Sequence, residues 1–180
     1  MDTSNLKRKV KKLNKVMGNT DAYRKVWEDS YKKMIMDTLQ SFIDETDLHA
    51  EVVVNDRFEG LEAISLALQT RDSGIYERIT DDTKRALIRN GGVLTYHQLF
   101  NGKIGILIGY PFIEGIGQPK MPMTVEIVRP EELKEINILR QAEQFIDEVT
   151  EWEDFDDDKH SVQKIGFNHI PGVKPDSDQK

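Results

Sequence analysis

The 180-residue chain contains no cysteine. That absence excludes a disulfide framework, a thiolate metal site and a cysteine nucleophile together, and it fits a reducing compartment. Proline and glycine are scarce and clustered. Five of the twelve glycines and three of the six prolines fall in residues 101–122, NGKIGILIGYPFIEGIGQPKMP. Long hydrophobic runs are also missing. A membrane-spanning helix needs about 20 apolar residues, whereas the most apolar run, residues 104–113, has ten, with two glycines and a proline among them. The N-terminus, MDTSNLKRKVKKLNKVMG, has bases but no apolar stretch behind them, unlike a secretory signal. A cytoplasmic protein is the expectation.

Charge is polarised toward opposite signs near the two ends. Residues 143–158 hold nine acids and no base, whereas residues 1–17 hold Lys7, Arg8, Lys9, Lys11, Lys12 and Lys15 against Asp2 alone, within a net charge of −7. Such polarisation suggests a charged partner at one end, or two ends that attract each other. Apolar content is 38% and charged content 32%, the polar end of the globular range. A chain of this length buries roughly 70% of its unfolded surface in one core.

Periodicity supplies the elements. Leu6, Val10, Leu13 and Met17 form one apolar stripe on a short basic helix, with Ser4 as cap and Gly18 as stop. Thr20 is expected to cap a second helix running from Asp21 to about Glu45. Its wide stripe of Tyr23, Trp27, Tyr31, Met34, Thr38 and Phe42, broadened by Val26, Ile35 and Leu39, calls for a sheet to cover it. AEVVVND and the alternating LEAISLALQTR read as a hairpin. TDDTKRALIRNGG reads as a short helix capped by Thr80, with Asp81 and Asp82 in its first turn and Asn90-Gly91 at its end.

Asn101-Gly102 between two apolar runs predicts a hairpin with a two-residue type I′ loop. That register sets His97 opposite Ile106 on an apolar face, with Gly105 and Gly109 leaving room for Gln98 and Leu94. Residues 123–128 alternate as a fifth strand. A helix follows from Pro130 with the stripe Leu133, Ile136, Leu139, Ala142, Ile146 and Val149. The expected architecture is α+β: an antiparallel sheet of about five strands packed by N-terminal, middle and C-terminal helices. Its divisions are a basic helix at 1–18, a globular domain at 19–152 and an acidic, disordered tail at 153–180.

No catalytic cluster emerges. G-x-S-x-G, the P-loop pattern, H-x₃-H and H-E-x-x-H are all absent. GIGQPK cannot place a helix behind a phosphate because Pro119 and Pro122 interrupt it. No metal and no cofactor is implied. His97 is a weak catalytic candidate, and a lone histidine on an apolar face is more often a core residue. The long loop offers Tyr110, Glu114 and Lys120. EWEDFDDD, with Trp152, Phe155, Asp156, Asp157 and Asp158, is a docking motif for a basic partner or a solvating tail.

The leading expectation is a small non-enzymatic protein-interaction module, adaptor- or chaperone-like, using its charged ends. The alternatives are a nucleic-acid-associated protein binding through the basic helix and an enzyme with a site near His97 and residues 110–122. An anionic membrane surface is the weakest reading of the basic helix.

Overall fold

In the computed structural model of the chain, residues 2–154 are described. The polypeptide starts with one unbroken helical rod. It comprises α1 (Ser4–Val26), a wide π turn (Trp27–Tyr31) and α2 (Lys32–Thr46). Ser4 is the first helical residue rather than the cap, and the Asp2 carboxylate accepts its N–H at 2.9 Å. Gly18 does not stop the helix and Thr20 does not cap a second one; the Thr20 hydroxyl donates to the Val16 carbonyl at 3.5 Å. A lone interior glycine costs about 1 kcal/mol relative to alanine, too little to break a helix flanked by good helix formers. The π turn has a sequence cause. Trp27, Tyr31, Ile35 and Leu39 recur every four residues, more than the 3.6 of an α-helix, and one widened turn keeps them on the same side. The rod ends at Asp47 in the left-handed conformation, φ 52°.

The strands are β1 (Ala50–Asn55), β2 (Ala63–Leu68), β3 (Arg71–Arg78), β4 (Lys84–Asn90), β5 (Val93–Gln98), β6 (Ile104–Gly109), β7 (Phe112–Ile113) and β8 (Met123–Val128). They build an antiparallel five-stranded sheet ordered β1-β2-β5-β6-β8 and a three-stranded sheet ordered β3-β4-β7. The fold is α+β, as expected, with three strands more than the periodicity indicated. The expected middle helix, TDDTKRALIRNGG, is absent: residues 84–90 form β4, hydrogen-bonded to β3 from Arg71↔Arg89 to Arg78↔Lys84. Asp81 and Asp82 lie at the exposed tip of that ribbon, closed by Ile79 N–H to Thr83 O at 2.9 Å. A helix there would forgo the whole ladder to β3, so tertiary pairing overrides the cap-like sequence.

The hairpin β5–β6 forms, but with a three-residue loop. Leu99 N–H donates to Lys103 O and Gly102 N–H to Leu99 O, each at 2.8 Å. The Asn101 side chain accepts from Lys103 N–H at 3.1 Å, and Gly102 alone takes a positive φ, 74°. This is a turn followed by a glycine bulge, not type I′, and it moves the register by one residue, so Tyr96 pairs with Ile106 and His97 with Gly105. One residue of slip reverses the faces of a strand. Leu94, Tyr96 and Gln98 therefore join Ile104, Ile106 and Ile108 in the core, and His97 turns to the opposite face. Gly105 makes room for His97 rather than Gln98, since a Cβ there would lie 2.4 Å from the imidazole Nε2.

Helices α2 and α3 (Glu135–Glu153) cover this face of the five-stranded sheet. Trp27, Ile35 and Leu39 from the rod and Ile138 and Phe145 from α3 are fully buried against it. The Tyr96 hydroxyl donates to Gln141 Oε1 at 3.0 Å in the same layer. The last helix buries only half of the expected stripe. Residues 130–132 make a separate 3-10 turn and Leu133 is extended, which resets the helical phase before α3 begins. Leu133, Ala142 and Val149 of the expected stripe are buried, joined by Ile138 and Phe145, while Ile136, Leu139 and Ile146 of that stripe are exposed at 66%, 39% and 36%.

Candidate functional site

The rod is seated on the domain only from about residue 20 onward. The tip of the β5–β6 hairpin abuts it: a Cβ on Gly102 would meet the Thr20 carbonyl oxygen and Tyr23 Cβ, each at 2.8 Å. Arg24 donates to the Phe100 carbonyl at 3.0 Å. Trp27 then enters the core and its Nε1–H donates to Glu62 Oε2 at 3.2 Å. The same oxygen receives Lys32 Nζ at 2.7 Å. Burial pushes the Glu62 carboxyl upward, but the Lys32 and Trp27 hydrogen bonds outweigh it and hold Glu62 below the usual glutamate value. The bond to Glu62 in turn raises Lys32. Burial, and then the charge of Glu62, raises nearby Glu28. This knot locks the π turn to the β1–β2 loop.

Residues 4–18 project beyond that anchor. α1 buries no residue at all. Leu6, Val10, Leu13 and Met17 stand 61%, 45%, 56% and 61% exposed along one side. Lys7, Arg8, Lys9, Lys11, Lys12 and Lys15 are exposed around them, and among the described residues none of the six is ion-paired. The result is an arm of about 22 Å at 1.5 Å per residue, cationic on its flanks and apolar along one line.

The acidic end is elsewhere. Phe145 and Val149 of α3 lie against Gly92 at the start of β5, whereas the arm leaves beside Gly102, past the end of that strand. The acids of the second half of α3 and the basic arm thus occupy opposite ends of the central strands. Trp152 is half-buried, with the Arg89 guanidinium 5.4 Å from its ring centre, and Arg89 is ion-paired to Glu153. Phe155, Asp156, Asp157, Asp158 and the apolar patch IGFNHIPGV lie outside the described residues.

Within the long loop, residues 112–113 pair with β4 as β7, and the Glu114 N–H extends this pairing to Ile88 O at 2.9 Å. The Glu114 side chain is in solvent. Tyr110 and Lys120 do meet. The Tyr110 hydroxyl donates to Glu148 Oε2 at 2.9 Å, and the Lys120 ammonium sits 3.5 Å above the Tyr110 ring centre and 4.0 Å from the same carboxylate. Glu148 was not singled out from the sequence; its i, i+4 relation to Trp152 and its acidic neighbours carried no sign of this partner. The trio fastens the return of the loop to α3.

Burial, then the Glu148 hydrogen bond and charge, pushes the Tyr110 phenol up to about 12. A tyrosine raised in the folded state contributes stability that is fully present below its unfolded value near 10 and lost as pH rises through about 12. Tyr110→Phe is therefore expected to cost about 1–2 kcal/mol at neutral pH, and the gap from wild type should close between pH 10 and 12. Urea midpoints across that window test this; a gap constant with pH would mean that the Tyr110 phenol ionises normally.

His97 stands half-exposed on the sheet face opposite α2 and α3, its imidazole without a hydrogen bond among the described residues and its pKa lowered by burial. Among the described residues, that arrangement provides neither an orienting partner for a base nor an enclosing cavity. Among the described residues no group of three His, Asp or Glu is placed to hold a metal ion, and no helix is long and apolar enough to cross a membrane. Two open hollows lie among the described residues. One lies at the β2–β5 end around Gln69 and Gly91, the other between α2 and α3 around Phe42 and Leu139. Compared with known protein families, curated proteins and solved structures, the chain matches none.

Proposed function

We propose that this protein is a non-enzymatic interaction module that binds a protein partner through its projecting N-terminal helix, residues 4–18. The observation carrying the reading is the exposure of Leu6, Val10, Leu13 and Met17 at 4-3-4 spacing on a helix with no buried residue among the described residues. Side chains at that spacing form a seam that packs against another helix, and a helix laid into an apolar groove is a recurrent mode of peptide recognition. The flanking cations favour an acidic rim on the partner. A nucleic-acid reading draws on the cations alone and leaves the apolar seam without a role. Among the described residues, no second group converges on His97 to support an enzyme reading.

Because the arm buries nothing, removal of residues 2–17 is expected to change folding stability by less than about 0.5 kcal/mol. The tagged full-length chain should recover a stoichiometric protein from native extract, and both the deletion and Leu13→Asp should lose it. Recovery that survives Leu13→Asp, or no recovery by the intact chain, would overturn the reading.

A further inference from the structure

The hollow between α2 and α3 has the complementary character of the arm. Thr38, Ser41 and Phe42 form one wall, Ile136 and Leu139 the other, and Asp37 and Glu135 stand at its rim. On α3 the exposed line continues from Ile136 and Leu139 to Ile146, with Glu143 and Asp147 also exposed on that helix. Asp37 is partly committed, since Lys33 pairs with it at 2.5 Å; Glu135 and Glu143 enter no ion pair among the described residues. The arm is the converse: an apolar line between cations.

The lengths agree as well. Leu6 to Met17 spans about 16 Å and Ile136 to Ile146 about 15 Å at the helical rise. A molecule cannot fill its own groove, because α2 is one wall of the groove and α1 continues α2 in the same rod through Trp27–Tyr31. The arm therefore points away along the axis of the wall. Pairing of arm with arm would bring six cations against six.

We infer that the groove between α2 and α3 receives the N-terminal arm of a second copy of this chain. The arm's apolar line lies over Phe42, Ile136 and Leu139, and its lysines face Glu135 and Glu143. This rests on the reading of the arm as a docking element and names its partner. The contact joins two different surfaces, so it closes as a reciprocal pair or ring, or propagates head to tail.

Sedimentation velocity on the purified full-length chain, from low micromolar to near-millimolar concentration, is expected to show reversible self-association that weakens with salt. Leu13→Asp should lower the association constant by roughly tenfold or more, as removal of a central apolar anchor does. Lys11→Glu/Lys12→Glu should weaken it as well, and mixing that chain with Glu135→Lys/Glu143→Lys should restore a mixed complex. The absence of native cysteine permits a direct placement test: a Leu13→Cys chain mixed with a Leu139→Cys chain should form a mixed disulfide faster than either forms with itself. Preferential Leu13→Cys self-crosslinking, undiminished association without residues 2–17, or a monomer at every concentration would overturn the inference. If the chain is monomeric while an unrelated protein is still captured in an arm-dependent way, only the second-copy inference fails. Capture that survives Leu13→Asp removes the broader reading too.

Discussion

Trp27→Ala is expected to lower the free energy of unfolding by about 3–5 kcal/mol, the range for removing a large aromatic from a packed core. Trp27 is fully buried, sits at the start of the π turn and donates to Glu62 Oε2 at 3.2 Å. Three losses coincide. The indole leaves a cavity between rod and sheet. Glu62, itself 7% exposed, loses one of the donors that keep it ionised. The widened turn loses the side chain that seats it. Against a typical total of about 5–15 kcal/mol for a domain, such a change moves the urea midpoint far toward water with little change in slope. Trp27→Phe keeps most of the ring and loses the N–H, so a smaller loss of about 1–3 kcal/mol is expected. A Trp27→Ala variant within about 1 kcal/mol of wild type would show that the rod is not held at this point.

Gly102→Ala carries the second largest effect. The residue has φ 74°, and a Cβ would stand 2.8 Å from both the Thr20 carbonyl oxygen and Tyr23 Cβ. The left-handed conformation costs an alanine about 1–2 kcal/mol, and forcing a methyl group against the rod adds about 1–3 kcal/mol. The sum, about 2–5 kcal/mol, is relieved only if the hairpin tip parts from the helix at Thr20 and Arg24. Chemical denaturation should show the loss, and amide exchange should quicken in residues 20–27 before the sheet. Gly18 is the control. Nothing lies within 4 Å of its Cβ position and it is helical, so Gly18→Ala is expected to strengthen the helix by about 0.5–1 kcal/mol. Equal effects at the two glycines would mean that the hairpin tip does not bear on the rod.

Both experiments bear on a division visible in the rod. From Thr20 onward its inner side is covered by the hairpin tip, the β1–β2 loop and the sheet. Before Gly18 the same helix has no buried residue among the described residues. The backbone does not mark the boundary, because a single glycine is a weak break. Packing marks it.

Local chemistry determined a large part of this protein. The apolar lines of the first 45 residues specified helix, Val-rich and alternating segments specified β1, β2, β5, β6 and β8, and Asn101-Gly102 specified a hairpin between two apolar runs. The polarised charge and the apolar line of residues 6–17 were legible for the same reason: they depend on neighbours one or two turns away; that no residue of this line is buried among the described residues was decided only by the tertiary structure.

What the tertiary structure alone decided depends on partners distant in sequence. Residues 84–90 have helix-like caps yet pair with β3. Whether Asn101-Gly102 closes two residues or three is nearly neutral locally, but it decides which face of β5 meets the helices, and burial of Tyr96 rather than His97 settles it. The 3-10 turn at residues 130–132 rotates α3, so that Phe145 rather than Ile146 is buried and an acidic-rimmed groove is left beside α2. Glu62 and Glu148 acquire their roles from Trp27, Lys32 and Tyr110, which lie 35, 30 and 38 residues away in the chain. Periodicity reports which side of an element is apolar, whereas the selection among nearly equivalent registers and phases is made by the total area buried when the elements meet.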